Sequence, residues 1–230
     1  MPNWVTNHMR VSRKDAHNVF RTDINDKGEA ESVVDFGMAV PMPPSLDITS
    51  SSLNEQSLYY FLSEKLTLCK EEVVRKIERL GVTVKRLFDN RYNDNWFDEV
   101  INRTGGYTDT LSEQEQEEFF ADGKRILFNI LNYGAPTWYE WHLEHWGCKW
   151  NACNSEISED ESDEEDIIVY FETPWGPPTE WCQALAKLGV DFYLDWEEEQ
   201  GYRGEIYGYD GEYGEEELPF REDGEEEEDE

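Results

Sequence analysis

Residues 167 to 196 read IIVYFETPWGPPTEWCQALAKLGVDFYLDW, and the order of patterns inside this stretch decides the fold. IIVYFET is an unbroken run of aliphatic, β-branched and aromatic residues, the composition of a buried strand. PWGPP marks a turn, because its prolines lack the N–H that a neighbouring strand needs. Pro174, Pro177 and Pro178 stiffen the entry to a helix, TEWCQALAKLG, with Thr179 in position to cap it and Gly189 to end it. VDFYLDWEEE then alternates as a second strand, and RGEIYGYDGEY returns as a third. Strand, helix, strand with a closing antiparallel hairpin predicts an α+β fold in which a helix covers one face of an antiparallel sheet.

Working outward from there, residues 3 to 12 (NWVTNHMRVS) alternate loosely enough to predict another strand. RKDAHNVFRT reads as a short helix or a loop. Ser32 to Val40 reads as a short strand, closed by Pro41, Pro43 and Pro44. The chain then changes character. SSLNEQSLYYFLSEKL and CKEEVVRKIERLG show helical spacing, the second stopping at Gly81. VTVKRLF fits strand or helix, and LSEQEQEEFFADGKRILFNILNYG is a helix with an acidic first turn that ends at Gly134. The expected organisation is a discontinuous core over 1–48 and 125–210, a helical insertion over 49–124 and an acidic tail over 211–230.

Of 230 residues, 53 are Asp or Glu and 20 are Lys or Arg, a formal net charge of −33. Much of this charge is local. Glu156 to Asp166 holds eight acids and no base, and Glu197 to Glu230 holds seventeen acids and two bases. A field of that sign repels phosphate backbones and attracts basic proteins and cations. Nine Trp, twelve Tyr and eleven Phe supply the burial that folds so charged a chain. Four cysteines, no apolar leader near the first residue and no window resembling a membrane span predict reduced thiols and a cytoplasmic location in a host cell.

Four motifs in order, MPNWVTNHMRVS, PMPPSLDI, WYEWHLEHWGCKWNAC and YFETPWGPP, resemble the YubB-type ferredoxin-like family of plasmid- and phage-encoded proteins. The resemblance covers roughly residues 1 to 48 and 125 to 210. It implies a ferredoxin-like α/β sandwich with an antiparallel sheet and a variable helical insertion, encoded by a mobile element. It implies no reaction and carries over no catalytic residue.

Several sets of residues compete as functional sites. His142, His145, Cys148 and Cys153 are four good zinc ligands spaced H-x2-H-x2-C-x4-C, although Trp138, Trp141 and Trp146 share the helix face of the two histidines and read as core. Trp150 and Trp175 form pocket walls, or fix a turn and a sheet edge, with Asn151 as a polar handle. Tyr170, Phe192, Tyr193, Tyr207 and Tyr209 offer stacking platforms for single-stranded nucleic acid, against the repulsion of neighbouring acids. No nucleophile elbow, phosphate loop or HExxH is present in the sequence, so no enzyme activity and no cofactor is expected.

The reading that uses the most prominent feature is stoichiometric binding. Carboxylates spaced along a rigid sheet edge and a flexible tail imitate the phosphates of a duplex and occupy the groove of a basic host protein, expected to be a nucleic-acid-binding defence factor. The acids expected to act are Glu159, Asp160, Glu161, Asp163, Glu164, Glu165 and Asp166 in the loop. With them come Glu197, Glu198, Glu199 and Glu205 on the last strands, and Glu215, Glu216 and Glu217 with Glu225 to Glu230 in the tail. Tyr202, Tyr207, Tyr209 and Tyr213 would add desolvated contacts. The competing reading is that the acids only keep the chain dispersed.

Overall fold

The computed structural model describes residues 3–88 and 95–220. In chain order the chain forms strands β1 (Trp4–Ser12), β2 (Phe20–Ile24) and β3 (Ala30–Val34), then helices α1 (Leu53–Leu62), α2 (Lys70–Arg79), α3 (Val84–Leu87), α4 (Trp96–Thr108), α5 (Glu113–Tyr133) and α6 (Trp138–His145). There follow β4 (Cys153–Ser158), β5 (Asp166–Pro174), α7 (Thr179–Lys187), β6 (Phe192–Glu198), β7 (Arg203–Tyr209) and β8 (Glu212–Leu218). The chain divides into two units, residues 1–42 with 142–230, and residues 43–141.

The first unit is built on a six-stranded sheet in the order β4-β5-β1-β6-β7-β8, with every neighbouring pair antiparallel. Strands β5 and β6 both run opposite to β1 and flank it, so β5-α7-β6 is a split βαβ unit with β1 filling the gap, the defining element of a ferredoxin-like sandwich. The alternation of β1 decides its two faces. Val5, Asn7, Met9 and Val11 are fully buried, while Thr6 and Arg10 are exposed. Trp181 and Leu185 of α7, Leu194 of β6 and Phe36 are also fully buried, and the Phe36 ring centroid lies 4.6 Å from that of Trp181. Each such side chain contributes about 1.5–3 kcal/mol by leaving water. Asn7 is tolerated there because its amide donates to Thr173 Oγ1 at 2.9 Å and to the Val5 carbonyl at 3.1 Å. Gly208 leaves room for the Phe192 ring of β6 and for Ala186 of α7, since a Cβ there would stand 2.5 Å from the ring and 3.1 Å from the alanine methyl.

The second unit packs helices around Leu58, Leu62, Val73, Ile77, Val100, Ile126 and Ile130. Ser112 and Glu115 form a capping box at the start of α5, and Gly134, at φ 80°, ends it in the left-handed region. Gly123 sits where α5 crosses α1: an added Cβ would fall 1.9 Å from the Ser57 carbonyl. Arg125 ties the segment before α1 to α5 through Nε to the Ser45 carbonyl at 2.7 Å and Nη2 to the Asp47 carbonyl at 3.0 Å.

Three expectations from the sequence are corrected and one open reading is resolved. The strand expected over Ser32–Val40 stops at Val34, because Asp35 turns the chain into a 3-10 helix by accepting from Gly37 N at 2.9 Å. VTVKRLF, open between strand and helix in the sequence and so resolved, not corrected, is helical, with Thr83 capping α3. The helical unit runs over residues 43–141 where 49–124 was expected, and α5 lies whole within it. The segment expected to begin the tail is strand β8: Glu212 to Leu218 pair with β7 from Tyr209 back to Arg203. An edge strand tolerates such charge, and charge there blocks pairing with another chain. Residues 221–230 of the expected tail lie outside the described residues.

Candidate functional site

The face of the sheet opposite α7 is the candidate site. It is built by the even-numbered residues of β1 and those in register with them. One row across it is Tyr170, His8, Asp195, Glu205 and Glu216; a second is Ile168, Arg10, Tyr193, Tyr207 and Gly214. A third joins Glu172, Thr6, Glu197 and Arg203. Adjacent strands lie about 4.8 Å apart, so Asp195, Glu205 and Glu216 place three carboxylates directly across three neighbouring strands at that step. Like charges directly opposite one another destabilise a sheet by up to about 1 kcal/mol per pair.

At one end of the acidic row, His8 Nδ1 lies 2.8 Å from Asp195 Oδ2, and its ring stacks on Tyr170 at 4.5 Å and 15°. The Tyr170 hydroxyl donates to Glu161 Oε2 at 2.9 Å, and that oxygen lies 3.8 Å from His8 Nε2. Glu161 therefore pins the acidic loop onto this face. Burial and the Glu161 carboxylate both hold the Tyr170 phenol above its ordinary range. Asp163 organises the loop itself: its Oδ1 accepts from the backbone N–H of Glu165 and of Asp166 at 2.8 Å, which lowers its carboxyl.

The aromatic row leads into a cleft of ≈590 Å³ whose lining includes Arg10, Arg13, Lys14, Tyr193, Tyr207 and Tyr209. Lys14 is engaged by Asp191 at 2.8 Å, and Arg13 donates through Nε to the Asp163 carbonyl at 2.6 Å. Arg10 is exposed and makes no ion pair among the described residues. Tyr207 covers Gly214, where a Cβ would come within 2.3 Å of its ring, so the absence of a side chain on β8 lets the ring lie across the strand. Tyr209 is 73% exposed. Burial first, then the hydrogen bond to Glu205, pushes the Tyr193 phenol well above its ordinary range.

The sheet thus brings together Asp166, Glu197, Glu205, Glu216, Tyr207 and Tyr209 from the expected set, with Glu161 reaching over from the loop. It separates others: Glu198, Tyr213, Glu215 and Glu217 alternate to the opposite face, where the Tyr213 hydroxyl donates to Glu215. Glu159, Asp160, Glu164 and Glu165 are exposed in the β4–β5 connection, and Glu199 and Tyr202 flank the β6–β7 turn. Glu225 to Glu230 lie outside the described residues. His8, Asp195 and Arg10 of the face were missed as site residues by sequence reasoning; the alternation of β6 was the signal for Asp195, while β1 alternates too loosely in sequence to single out His8 and Arg10.

The zinc set is not assembled. Among the described residues no group of three or more His, Cys, Asp or Glu is arranged to hold a metal ion. His142 Nδ1 lies 2.9 Å from the Lys149 carbonyl and its ring stacks on Trp146 at 3.8 Å. Cys148 is buried with its thiol directed at the Trp150 carbonyl, and burial holds that thiol far above its ordinary range. Asn151 is a bracket, not a ligand handle: Oδ1 accepts from Phe36 N at 2.8 Å and Nδ2 donates to Asp35 Oδ1 at 2.8 Å. Trp175 stands 58% exposed with φ 75°, its N–H donating to the Asn3 carbonyl at 2.8 Å.

A ferredoxin-like domain made largely by the C-terminal part of the chain is what fold and sequence comparison share. Residues 149–230 match a family model described as the ferredoxin-like domain in Api92-like protein. Among solved structures, that of a protein api92 from Yersinia pseudotuberculosis is similar at 11% identity and a TM-score of 0.41, over 96% of this chain and 100% of that one. No curated protein matches the chain. No helix among the described residues is long and apolar enough to cross a membrane.

Proposed function

We propose that the chain is a non-enzymatic accessory protein of a plasmid or phage, of the YubB type, that acts in the host cytoplasm by stoichiometric binding. Its open sheet face presents carboxylates to the nucleic-acid groove of a basic host protein, and the occupant blocks nucleic acid from that groove. The observation that carries this reading is the cross-strand row Asp195, Glu205, Glu216. Edge protection accounts for charge on β8, but β6 and β7 are interior strands, where like charges directly opposite one another lower stability and only the contacts of Asp195 with His8 and of Glu205 with Tyr193 offset them. Residues that break a local rule of folding concentrate where function requires them.

The test is capture from host lysate on immobilised protein at 0.1 M and 0.5 M salt, with the triple variant Asp195→Asn, Glu205→Gln, Glu216→Gln as comparison. A basic partner retained at low salt, released at high salt and displaced by added nucleic acid is the expected result. Equal retention by the triple variant would defeat the proposal.

A second reading is favoured by one specific observation: Tyr193, Tyr207 and Tyr209 share an exposed face with Arg10 and Arg13 at a single cleft. Stacking platforms beside cations fit single-stranded nucleic acid. Anisotropy of a labelled short oligouridine separates the two, since the first reading predicts no binding and the second predicts binding that Tyr207→Ala abolishes.

A further inference from the structure

We infer that Trp175 anchors a docking site for an arginine side chain of a protein partner, at the end of the sheet where β4, β5 and β1 lie side by side. Trp175 stands 58% exposed, and its backbone lies at φ 75°, a region that a bulky side chain enters only at a cost. Glycine would remove the strain and a polar residue the exposed apolar surface, yet a large indole stands there. The surroundings hold it in that conformation. Thr173, fully buried, accepts through Oγ1 from the Asn7 amide at 2.9 Å and donates to the Gly176 carbonyl at 2.9 Å. The Trp175 N–H donates to the carbonyl of Asn3, the residue before β1, at 2.8 Å. A turn fastened from the core on one side and from β1 on the other presents the indole to solvent, and strain of this kind is kept where the presented group has a use.

Two further tryptophans indicate the chemistry of the partner. Trp4 of β1 pairs with Pro174, and its ring lies 6.3 Å from that of Trp150, which precedes β4. Lys149 Nζ stands 4.7 Å from the centre of the Trp150 ring, so at this end of the sheet an indole already takes a cation from its own chain. Trp175 takes none among the described residues. The acids nearby have the matching sign. Glu172 lies two residues before Pro174 on β5, and the Glu199 N–H donates to the Trp4 carbonyl at 3.3 Å, which sets an exposed acid beside Trp4. Of the cations at this end, Lys149 covers Trp150, and Arg203 donates through Nε to the Pro219 carbonyl at 3.0 Å. Arginine suits such a surround: its planar guanidinium stacks on an indole while its edge donors reach carboxylates. A purely apolar partner would bury those acids unpaired, and a phosphate backbone would be repelled by them.

The inference does not depend on the row Asp195, Glu205, Glu216, and the test keeps the two apart. The probe is a labelled octapeptide of alternating arginine and glycine, followed by anisotropy in 0.3 M NaCl, where the diffuse field is screened. Trp175→Gly leaves the net charge at −33 and is expected to weaken binding at least about tenfold, a loss of about 1.4 kcal/mol. Because glycine tolerates the left-handed region, the same variant is expected to keep or raise the urea midpoint of the parent. Trp175→Asn, which also tolerates that region, is expected to repeat both results, and Trp175→Phe, which restores a ring, to bind within about threefold of the parent. The triple variant of the acidic row is expected to bind the peptide as the parent does, and a peptide with citrulline in place of arginine to bind at least about tenfold more weakly. Four results would each overturn the inference: unchanged binding by Trp175→Gly, a lowered midpoint in both Trp175→Gly and Trp175→Asn, equal binding of the citrulline peptide, or as large a loss in the triple variant as in Trp175→Gly.

Discussion

At the scale of single residues, the open face shows two side chains whose cost to the fold can be measured. Glu205 has Asp195 on one side and Glu216 on the other, so Glu205→Gln removes two like-charge contacts while keeping an acceptor for the Tyr193 hydroxyl. Thermal unfolding at low ionic strength is expected to show a gain of about 0.5 kcal/mol, shrinking as salt is added. A loss of stability would mean that Glu205 is a structural residue. Glu55 gives a pH-dependent counterpart. Burial raises its carboxyl, so the folded state favours the protonated form; that contribution is fully present below the ordinary value of 4.5 and disappears as pH rises through the folded value. Glu55→Gln keeps an acceptor for Trp96 and does not ionise. Its stability relative to the parent is therefore expected to be greater at pH 7 than at pH 4, as read from urea midpoints. Alternation in β6 was legible in the sequence, and that of β1 only loosely. The pairing of Asp195 with Glu205 was not, because register depends on which strands become neighbours, and that is decided by β1 entering between β5 and β6 from far away in the chain.

At the scale of elements, legibility followed the strength of local signals. The elements from β5 to β6 read correctly because the turn prolines, the helix stop at Gly189 (φ 77°) and the apolar strands all agree, although Thr179 is the first residue of α7 and donates to Glu180 where a cap was expected. Strand β8 was misread as tail because five of its seven residues are Glu or Gly, and only pairing with β7 makes them a strand. Helix α4 was not read at all; Gly105 and Gly106 stand inside it against helix propensity, and tertiary packing of Val100 and Thr104 sets its state. The correction at β8 alters how the acidic segment must be tested. A truncation at residue 211 removes a whole strand and exposes β7, whereas a truncation after Phe220 leaves the sheet intact. Only the second is expected to preserve the far-ultraviolet circular dichroism of the parent. At the α1–α5 crossing, Gly123→Ala is expected to cost about 1–3 kcal/mol in denaturant unfolding, since the new methyl meets the Ser57 carbonyl and not a side chain that could move aside. An unchanged midpoint would show that the two helices can separate without penalty.

At the scale of the whole molecule, one anionic field acts in two directions, and salt distinguishes them. Self-repulsion among 53 acids opposes folding, while the same potential draws a basic partner. Between 0.1 M and 1 M salt the screening length falls from about 10 Å to about 3 Å. Sodium chloride is therefore expected to raise the unfolding temperature over the same range in which it releases a captured partner. The triple variant at Asp195, Glu205 and Glu216 separates a local device from a general one. It removes three charges of a large excess, so bulk repulsion and solubility should barely change. Its dependence of unfolding temperature on salt should remain close to that of the parent, while capture falls at least about tenfold. If the acids served only to keep the chain dispersed, capture would follow total charge, and neutralising three exposed acids elsewhere, such as Glu78, Asp109 and Glu113, would weaken it as much. The register of β6, β7 and β8 predicts the opposite order, because only the sheet holds its carboxylates at the fixed spacing that a phosphate-binding groove can match.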